Sequence, residues 1–391
     1  MPHSGAALES VIEHGAQQGA LDYEEIAPTV EALVDSGDLT LVPRLHEALE
    51  RFLDDGNFYG RDIIAGLLAG IAGVAALPAL LLAADRDLGD DQDGLQSDID
   101  GLLAEDPAAA RRIVLDLVRA DAPHRRRVGL LALGAVAEPG DAALLAEAAG
   151  HTDPEIRLMA VETVVDPARD DRAFGIVRAA LHDADEHVAT AAINRLAATG
   201  RPAAVAALAA ATTHDDPRMR ARTAYALGRL GDPSATPALL ALLHDADRHV
   251  RDQARDALGG IGAPAAVDAL LAEATGDDPY RRAQAAKALA KAADTDPRAA
   301  PHLTRLARDP DPTVRAATLS GLATVADGSS RWAGPVTELA DDPDPAVRQR
   351  VAFVVGHLAP EEAETLLRRL AEDPVATVRQ AAAGRLNRMA R

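Results

Sequence analysis

The segment Asp247 to Gly259 has close copies up and down the chain, and this repetition limits the possible folds more than any other feature of the sequence. With Arg251 as position zero, the pattern recurs at Arg126, Arg157, Arg220, Arg282, Arg315, Arg348 and Arg379, with Ala189 filling one vacancy, at spacings of 31 to 33 residues. A chain of 391 residues would otherwise suggest two or three globular domains. A fixed period in the range of 20 to 50 residues instead implies stacked copies of one small unit, each burying its apolar face against its neighbours.

Each copy carries one amphipathic helix. Apolar residues recur near −1, +3, +4 and +7, as at Val250, Ala254 and Leu258, which is helical periodicity. Asp153, Asp185, Asp216, Asp247, Asp278, Asp311 and Asp344 stand four places before their anchors, where an N-cap would accept a hydrogen bond from the first free N–H groups. Between these helices runs a second pattern, clearest from Pro237 to His244, that reads as a helix opened by proline. Similar starts fall near Pro43, Pro78, Pro107, Pro202, Pro264, Pro301 and Glu361. The unit is therefore two antiparallel helices joined by a short Asp/Pro turn.

Composition supports helices over sheets. Hydrophobic residues make up 48% of the chain but aromatics only 2%, so the core is built from Ala, Leu, Val and Ile. With no cysteine, disulfides and thiolate metal sites are excluded. The chain has 61 acidic against 40 basic residues, a net charge of −21, and Lys287 and Lys291 are its two lysines. Such Asp-rich, Lys-poor composition resembles cytoplasmic proteins of salt-accumulating archaea, in which acidity keeps the whole surface soluble. The average surface repels phosphate backbones, which argues against nucleic acid as a partner. The first residues show no basic region followed by an apolar run, so a cytoplasmic location is expected. Residues 63–84 hold 22 positions without a charged or polar side chain, long enough to span a bilayer. Gly66, Gly70, Gly73 and Pro78 interrupt them, and buried repeat helices are expected there instead.

The pattern D-x-x-V-R-x-x-A-x-x-A-L-G after P-x-L-L-x-L-L resembles the HEAT-repeat family, in particular the short HEAT-like repeats of the phycobilin-lyase type. Asp247, Val250, Arg251, Ala254, Ala257, Leu258 and Gly259 carry the match in one unit, and Asp344, Val347, Arg348 and Gly356 in another. The resemblance implies an all-α, right-handed α-solenoid of about eleven two-helix repeats. It also implies a ladder of hydrogen bonds in which the Asp and Arg columns of successive units join, with a gap at Ala189. Three regions are expected: N-terminal capping helices in 1–39, divergent repeats in 40–105 and regular repeats in 106–391. In the divergent region Asn57, Arg61 and Leu68 keep the register, and Leu88 to Gly94 is an acidic, Gly-rich interruption. Arg86 to Glu105 is expected to be a hinge or inserted recognition loop.

In the resembling proteins the second helix of each unit lines a concave surface. Columns +2, +5 and +9 fall on one stripe of that helix. In the N-terminal half the stripe is mostly apolar or acidic, with Val128, Leu131, Met159 and Glu162. Towards the C-terminus it carries Arg222, Tyr225 and Arg229, then Gln253 and Asp256, then Gln284, Lys287 and Lys291, and finally Arg350, Phe353 and His357. Cations and aromatics gathered on one face of an acidic chain predict a site for a protein partner with an acidic surface.

Other chemistries find less support. His151, His182, His214 and His244 each close a first helix, but stacked repeats lie too far apart to share one metal ion. A His at a helix C-terminus, favoured by the helix dipole, explains them without metal. HEAT-repeat hydroxylases carry several His-Glu pairs, whereas this chain has His46-Glu47 alone. No bilin-specific residue set, phosphate loop or catalytic triad stands out. The glycines near Gly259, Gly260 and Gly262 are expected to be helix caps, and Ser329-Ser330 an extended loop. The expected function is a non-enzymatic scaffold or adaptor without a cofactor. Analogy with haloarchaeal HEAT-like proteins adds a narrower expectation, coupling of chemotaxis signalling to motility. The alternatives are a lyase or hydroxylase on the same scaffold and, less favoured, a nucleic-acid-binding repeat protein.

Overall fold

The structure, a computed structural model, describes residues 2–17, 23–324 and 330–389. Helices joined by short turns make it up, with no strand among the described residues. The chain divides into two compact units, residues 1–180 and 181–391.

The first unit runs α1 (Pro2–Gly15), α2 (Tyr23–Ser36), α3 (Val42–Asp54), α4 (Phe58–Ala72), α5 (Leu77–Ala84), α6 (Asp93–Glu105), α7 (Pro107–Val118), α8 (Pro123–Val136), α9 (Ala142–Ala149), α10 (Pro154–Thr163) and α11 (Asp171–Ala179). The second runs α12 (Glu186–Thr199), α13 (Pro202–Ala211), α14 (Pro217–Leu230), α15 (Thr236–Leu242), α16 (Arg248–Ile261), α17 (Pro264–Glu273), α18 (Pro279–Ala292), α19 (Ala299–Leu306), α20 (Pro312–Leu322), α21 (Ala333–Leu339), α22 (Pro345–Val354), α23 (Pro360–Leu370) and α24 (Ala376–Met389). Each anchor of the repeat lies in an even-numbered helix, and the proline-led pattern makes the odd-numbered ones. Within each unit helix pairs stack into an α-solenoid, the architecture the period requires. Ser329 lies outside the described residues.

The predicted caps form. Asp185, Asp247 and Asp311 each accept a backbone N–H from the first turn of α12, α16 and α20, with the cap residue itself extended. Asp153, Asp216, Asp278 and Asp344 do the same, and in these helices, as in α20, proline holds the first helical position.

The apolar stretch is two helices. By length and composition Phe58–Ala84 would suffice to cross a membrane, but the backbone turns at Gly73, whose φ of 55° favours glycine. On either side Ile64, Leu67, Leu68, Leu77 and Leu80 are buried in the first unit. Gly66 and Gly70 do not break the segment as expected; both lie inside α4, and a Cβ on Gly70 would stand 2.7 Å from Val34, so close packing with α2 excludes a side chain there.

Arg86 to Glu105 also departs from expectation. Residues 93–105 form α6, which buries Leu95, Ile99 and Leu102. The preceding loop is tied down: Arg61, with no side-chain exposure, donates from Nη1 and Nη2 to Asp90 at 3.0 and 2.5 Å. The acidic interruption therefore supplies, with Asp62, a counter-ion of a buried arginine, and the second half of the stretch is a packed helix.

Candidate functional site

The second helices of the second unit are held in register by a repeated clamp. Arg315 donates from Nη1 to the carbonyls of Asp309 and Pro310 in its own turn, at 2.8 and 3.1 Å. Its other two nitrogens reach Asp342 of the following turn, Nε at 2.6 Å and Nη2 at 2.7 Å. The same two-pronged contact joins Arg220 to Asp245, Arg282 to Asp309 and Arg348 to Asp373. A ladder exists, as expected, but its acid is not the capping Asp. The partner stands two residues earlier, at −6, where its other task is to accept the N–H of the cap residue, as Asp245 does for Asp247 at 2.8 Å. The cap carboxylate is already committed to its own helix and leaves the rung to its neighbour.

The −6 column also accounts for the histidines. His151 and His214 occupy it, and the Nδ1 of each accepts the N–H of Asp153 or Asp216 at 3.0 Å, replacing the carboxylate. His182 and His244 stand one residue earlier, so the four are not one column. The His182 and His214 rings stack with centroids 6.3 Å apart. That stack sits at the rung where Ala189 provides no guanidinium. At the next interruption Arg251 keeps its turn carbonyls, but Gly276 stands where its acid would be. Among the described residues no group of three or more His, Asp or Glu is placed to hold a metal ion.

Successive second helices lie against one another along the stack, α14 on α16, α16 on α18, α18 on α20, while the first helices α13, α15, α17 and α19 meet far less. Glycine makes this approach possible. A Cβ on Gly259 would lie 2.4 Å from the carbonyl oxygen of Ala288, and one on Gly228 would lie 2.7 Å from the Cβ of Ala257. Gly259 and Gly260 are thus inside α16, while Gly262, with φ 60°, is the expected left-handed cap. The second helices therefore form the more closely packed layer of this unit.

On that face column +5 is the exposed one. Tyr225 and Phe353 are 54% and 47% exposed and are among the largest apolar side chains left open to solvent, as is Leu131 at 66% in the same column of the first unit. Arg222, Arg229, Lys287 and Arg350 are exposed beside them and have no ion-pair partner among the described residues. Gln253 and Gln284 are half-buried. Lys291 is exposed but engaged, its Nζ 2.5 Å from Asp256, another member of the stripe. Two of the stripe positions named from the sequence, one in each unit, are buried. Val128 is buried, and His357 lies within a short 3₁₀ turn, 6% exposed, with its Nε2 2.8 Å from the carbonyl of Leu322. The helix α22 ends at Val354, so the +9 residue no longer follows its spacing and turns into the core.

Between α14 and α16 the face opens into a cavity of about 320 Å³ lined by Arg218, Ala221, Arg222, Tyr225, His249 and Gln253. Arg222 and Tyr225 are one turn apart on α14, and His249 and Gln253 one turn apart on α16, so the two pairs face across the groove. Arg218, largely exposed at the cavity's wall, is neutralised by Glu186 at 2.9 Å and Asp216 at 3.1 Å. Sequence reasoning found Arg222, Tyr225 and Gln253 and missed Arg218 and His249, which stand at −2 in their repeats, outside the stripe. One further network also went unseen. Arg248 stacks over the Tyr280 ring at 3.7 Å, Tyr280 donates its hydroxyl to Asp252, and Asp252 and Glu273 hold the buried Arg255 at 2.7 and 2.6 Å. It fixes α16, α17 and α18 beside the cavity.

The sequence matches a family described as HEAT repeats over residues 142–225, 175–259, 207–290, 240–323 and 334–390. No curated protein matches it. Among solved structures, Kap95p in complex with RanGDP is similar at 16% identity and a TM-score of 0.63, covering 97% of this chain and 61% of Kap95p. Kap121p is similar at 14% identity and a TM-score of 0.61, covering 98% of this chain and 48% of Kap121p. Importin beta, at 16% identity and a TM-score of 0.53, is covered over 61% of its length by 95% of this chain. The chain therefore spans about half to three fifths of these proteins, and at such identities the likeness is one of fold. With its repeats matched over more than half of its length, the chain belongs to the HEAT-repeat family.

Proposed function

We propose that this protein is a non-enzymatic scaffold that captures a protein partner with an acidic surface on the second-helix face of residues 181–391. The observation that carries this reading is the set of exposed cations Arg222, Arg229, Lys287 and Arg350, without an ion-pair partner among the described residues, on the same helix layer as the exposed rings of Tyr225 and Phe353, in a chain of net charge −21. Other arginines of the unit are matched by carboxylates, Arg220, Arg282, Arg315 and Arg348 in the ladder and Arg298, Arg308 and Arg369 on the surface. Cations left unmatched beside aromatic rings are the composition of a protein-binding hot spot. Kap95p, whose fold this chain shares, binds RanGDP through such an α-solenoid, which supports the reading by analogy of fold.

The test is affinity capture with crosslinking at molar salt, comparing the wild type with the triple variant Arg222→Glu, Lys287→Glu, Arg350→Glu. A small stoichiometric set of acidic proteins lost from the variant is the expected result. An identical set from both would remove this face from the function. The narrower role, coupling chemotaxis signalling to motility in a salt-accumulating cell, rests on the resemblance to haloarchaeal HEAT-like proteins. It requires response-regulator or motor components in that set.

A further inference from the structure

We infer that the cavity between α14 and α16 is a carboxylate pocket that seats one acidic side chain of an extended Asp- or Glu-rich peptide, with Arg222 as its counter-ion. The inference rests on the proposed acidic partner and goes further by naming the residues that anchor it. Its volume of about 320 Å³ suits a single side chain. Of the two guanidinium groups in the wall, Arg218 is already matched by Glu186 and Asp216, whereas Arg222 has no carboxylate partner. The uncompensated charge in the pocket is therefore that of Arg222, and it calls for one anion. A guanidinium presents its donors in a fork that fits a carboxylate. Gln253 across the groove offers an amide N–H to the same anion. The exposed Tyr225 ring gives the stem of the seated side chain an apolar wall.

A peptide is favoured over nucleic acid for two reasons. A polyphosphate would meet the net charge of −21 along its whole length, while a short acidic peptide places few charges near it. Glu186 and Asp216, held on Arg218 beside the pocket, also repel a second anion and limit the pocket to one.

The experiment measures fluorescence anisotropy of a fluorescein-labelled octapeptide in which glutamate alternates with serine, with the full chain. Single-stranded DNA of eight phosphates is the second probe, and thermal melts confirm that each variant folds. Arg222→Glu should weaken peptide binding at least tenfold and Gln253→Leu about threefold, with Lys287→Glu and Arg350→Glu each less than twofold. Equal losses from Arg222→Glu, Lys287→Glu and Arg350→Glu would overturn the pocket and leave a diffuse acidic-partner face. Peptide binding by the Arg222→Glu variant within twofold of wild type, or no peptide binding by the wild type, would also overturn it. In those cases the capture experiment decides the broader reading separately. DNA bound as tightly as the peptide and equally weakened by Arg222→Glu would replace the peptide with nucleic acid.

Discussion

At the scale of single residues, the repeat is specified by which atom of which side chain is already committed. Cap aspartates can be read from the sequence because their task is local: a carboxylate placed four before the anchor finds its own helix's N–H groups. The ladder acid is less legible, since its partner is 25 to 27 residues away and the sequence offers two aspartates per turn. Arg315 and Asp342 are nearly buried, so Arg315→Ala should cost about 3 kcal/mol, because it leaves a carboxylate without its counter-ion. Arg251→Ala should cost clearly less, as Arg251 holds only turn carbonyls. Conversely, Gly276→Asp should stabilise the chain by about 1 kcal/mol by completing that rung, and a Cβ there meets only ordinary contacts. Denaturant melts of the three variants check this; a destabilising Gly276→Asp would mean that the −6 position does not set the ladder. Acid should attack the same contacts. Arg220 and Arg348 hold the Asp245 and Asp373 carboxyls below the usual range, and at Asp342 burial pushes the carboxyl up while Arg315, the Asp344 N–H and Arg348 together bring it below that range. Carboxyls depressed in the folded state contribute stability that is fully present above the unfolded value of about 4 and lost as pH falls through the folded value. Melting temperature followed downward from pH 5 should therefore fall, with a shallower fall in Arg348→Ala.

At the scale of helices, periodicity revealed which segments form elements and which faces they bury, but not how closely they approach. The even-numbered helices appear where the anchors place them, because a stripe at −1, +3, +4 and +7 can be buried only by a helix. The glycines of α4 and α16 were misread because a sequence does not distinguish a glycine needed for a turn from one needed for proximity. Gly73 and Gly262 serve turns, whereas Gly70, Gly228 and Gly259 admit a neighbouring helix. Gly259→Ala would place a methyl group against the backbone of Ala288, so α16 and α18 must separate. A loss of about 2 kcal/mol in chemical denaturation is expected, together with weaker peptide binding in the adjoining cavity. Unchanged stability would show that the second-helix layer is looser than this packing requires. The end of α22 supplies a second lesson: once the helix gives way to a 3₁₀ turn after Val354, the +9 position carries His357 into the core instead of onto the face. Columns extrapolated past a helix end lose their meaning.

At the scale of the whole molecule, charge and repetition point to the same conclusion. The period made the all-α repeat architecture legible from the sequence alone, and membership of the HEAT-repeat family follows from it. The candidate site was legible in part, since column +5 proved to be the exposed one and Tyr225, Lys287 and Phe353 lie on it. Its cavity was not, because it depends on residues from two helices meeting across a groove. A chain of net charge −21 repels itself, and salt screens that repulsion over about 10 Å at 0.1 M and 3 Å at 1 M. Melting temperature should therefore rise as KCl increases from 0.1 to 1 M, while the half-buried ladder is screened much less; a falling melting temperature would mean that exposed ion pairs dominate. The central claim is that an acidic protein sits on the second-helix face of residues 181–391. Its most direct test is hydrogen exchange on the complex formed with the captured partner. The account predicts protection concentrated in α14, α16, α18 and α22, lost in the triple charge-reversed variant, and protection confined to the first helices α13, α15, α17 and α19 would contradict it.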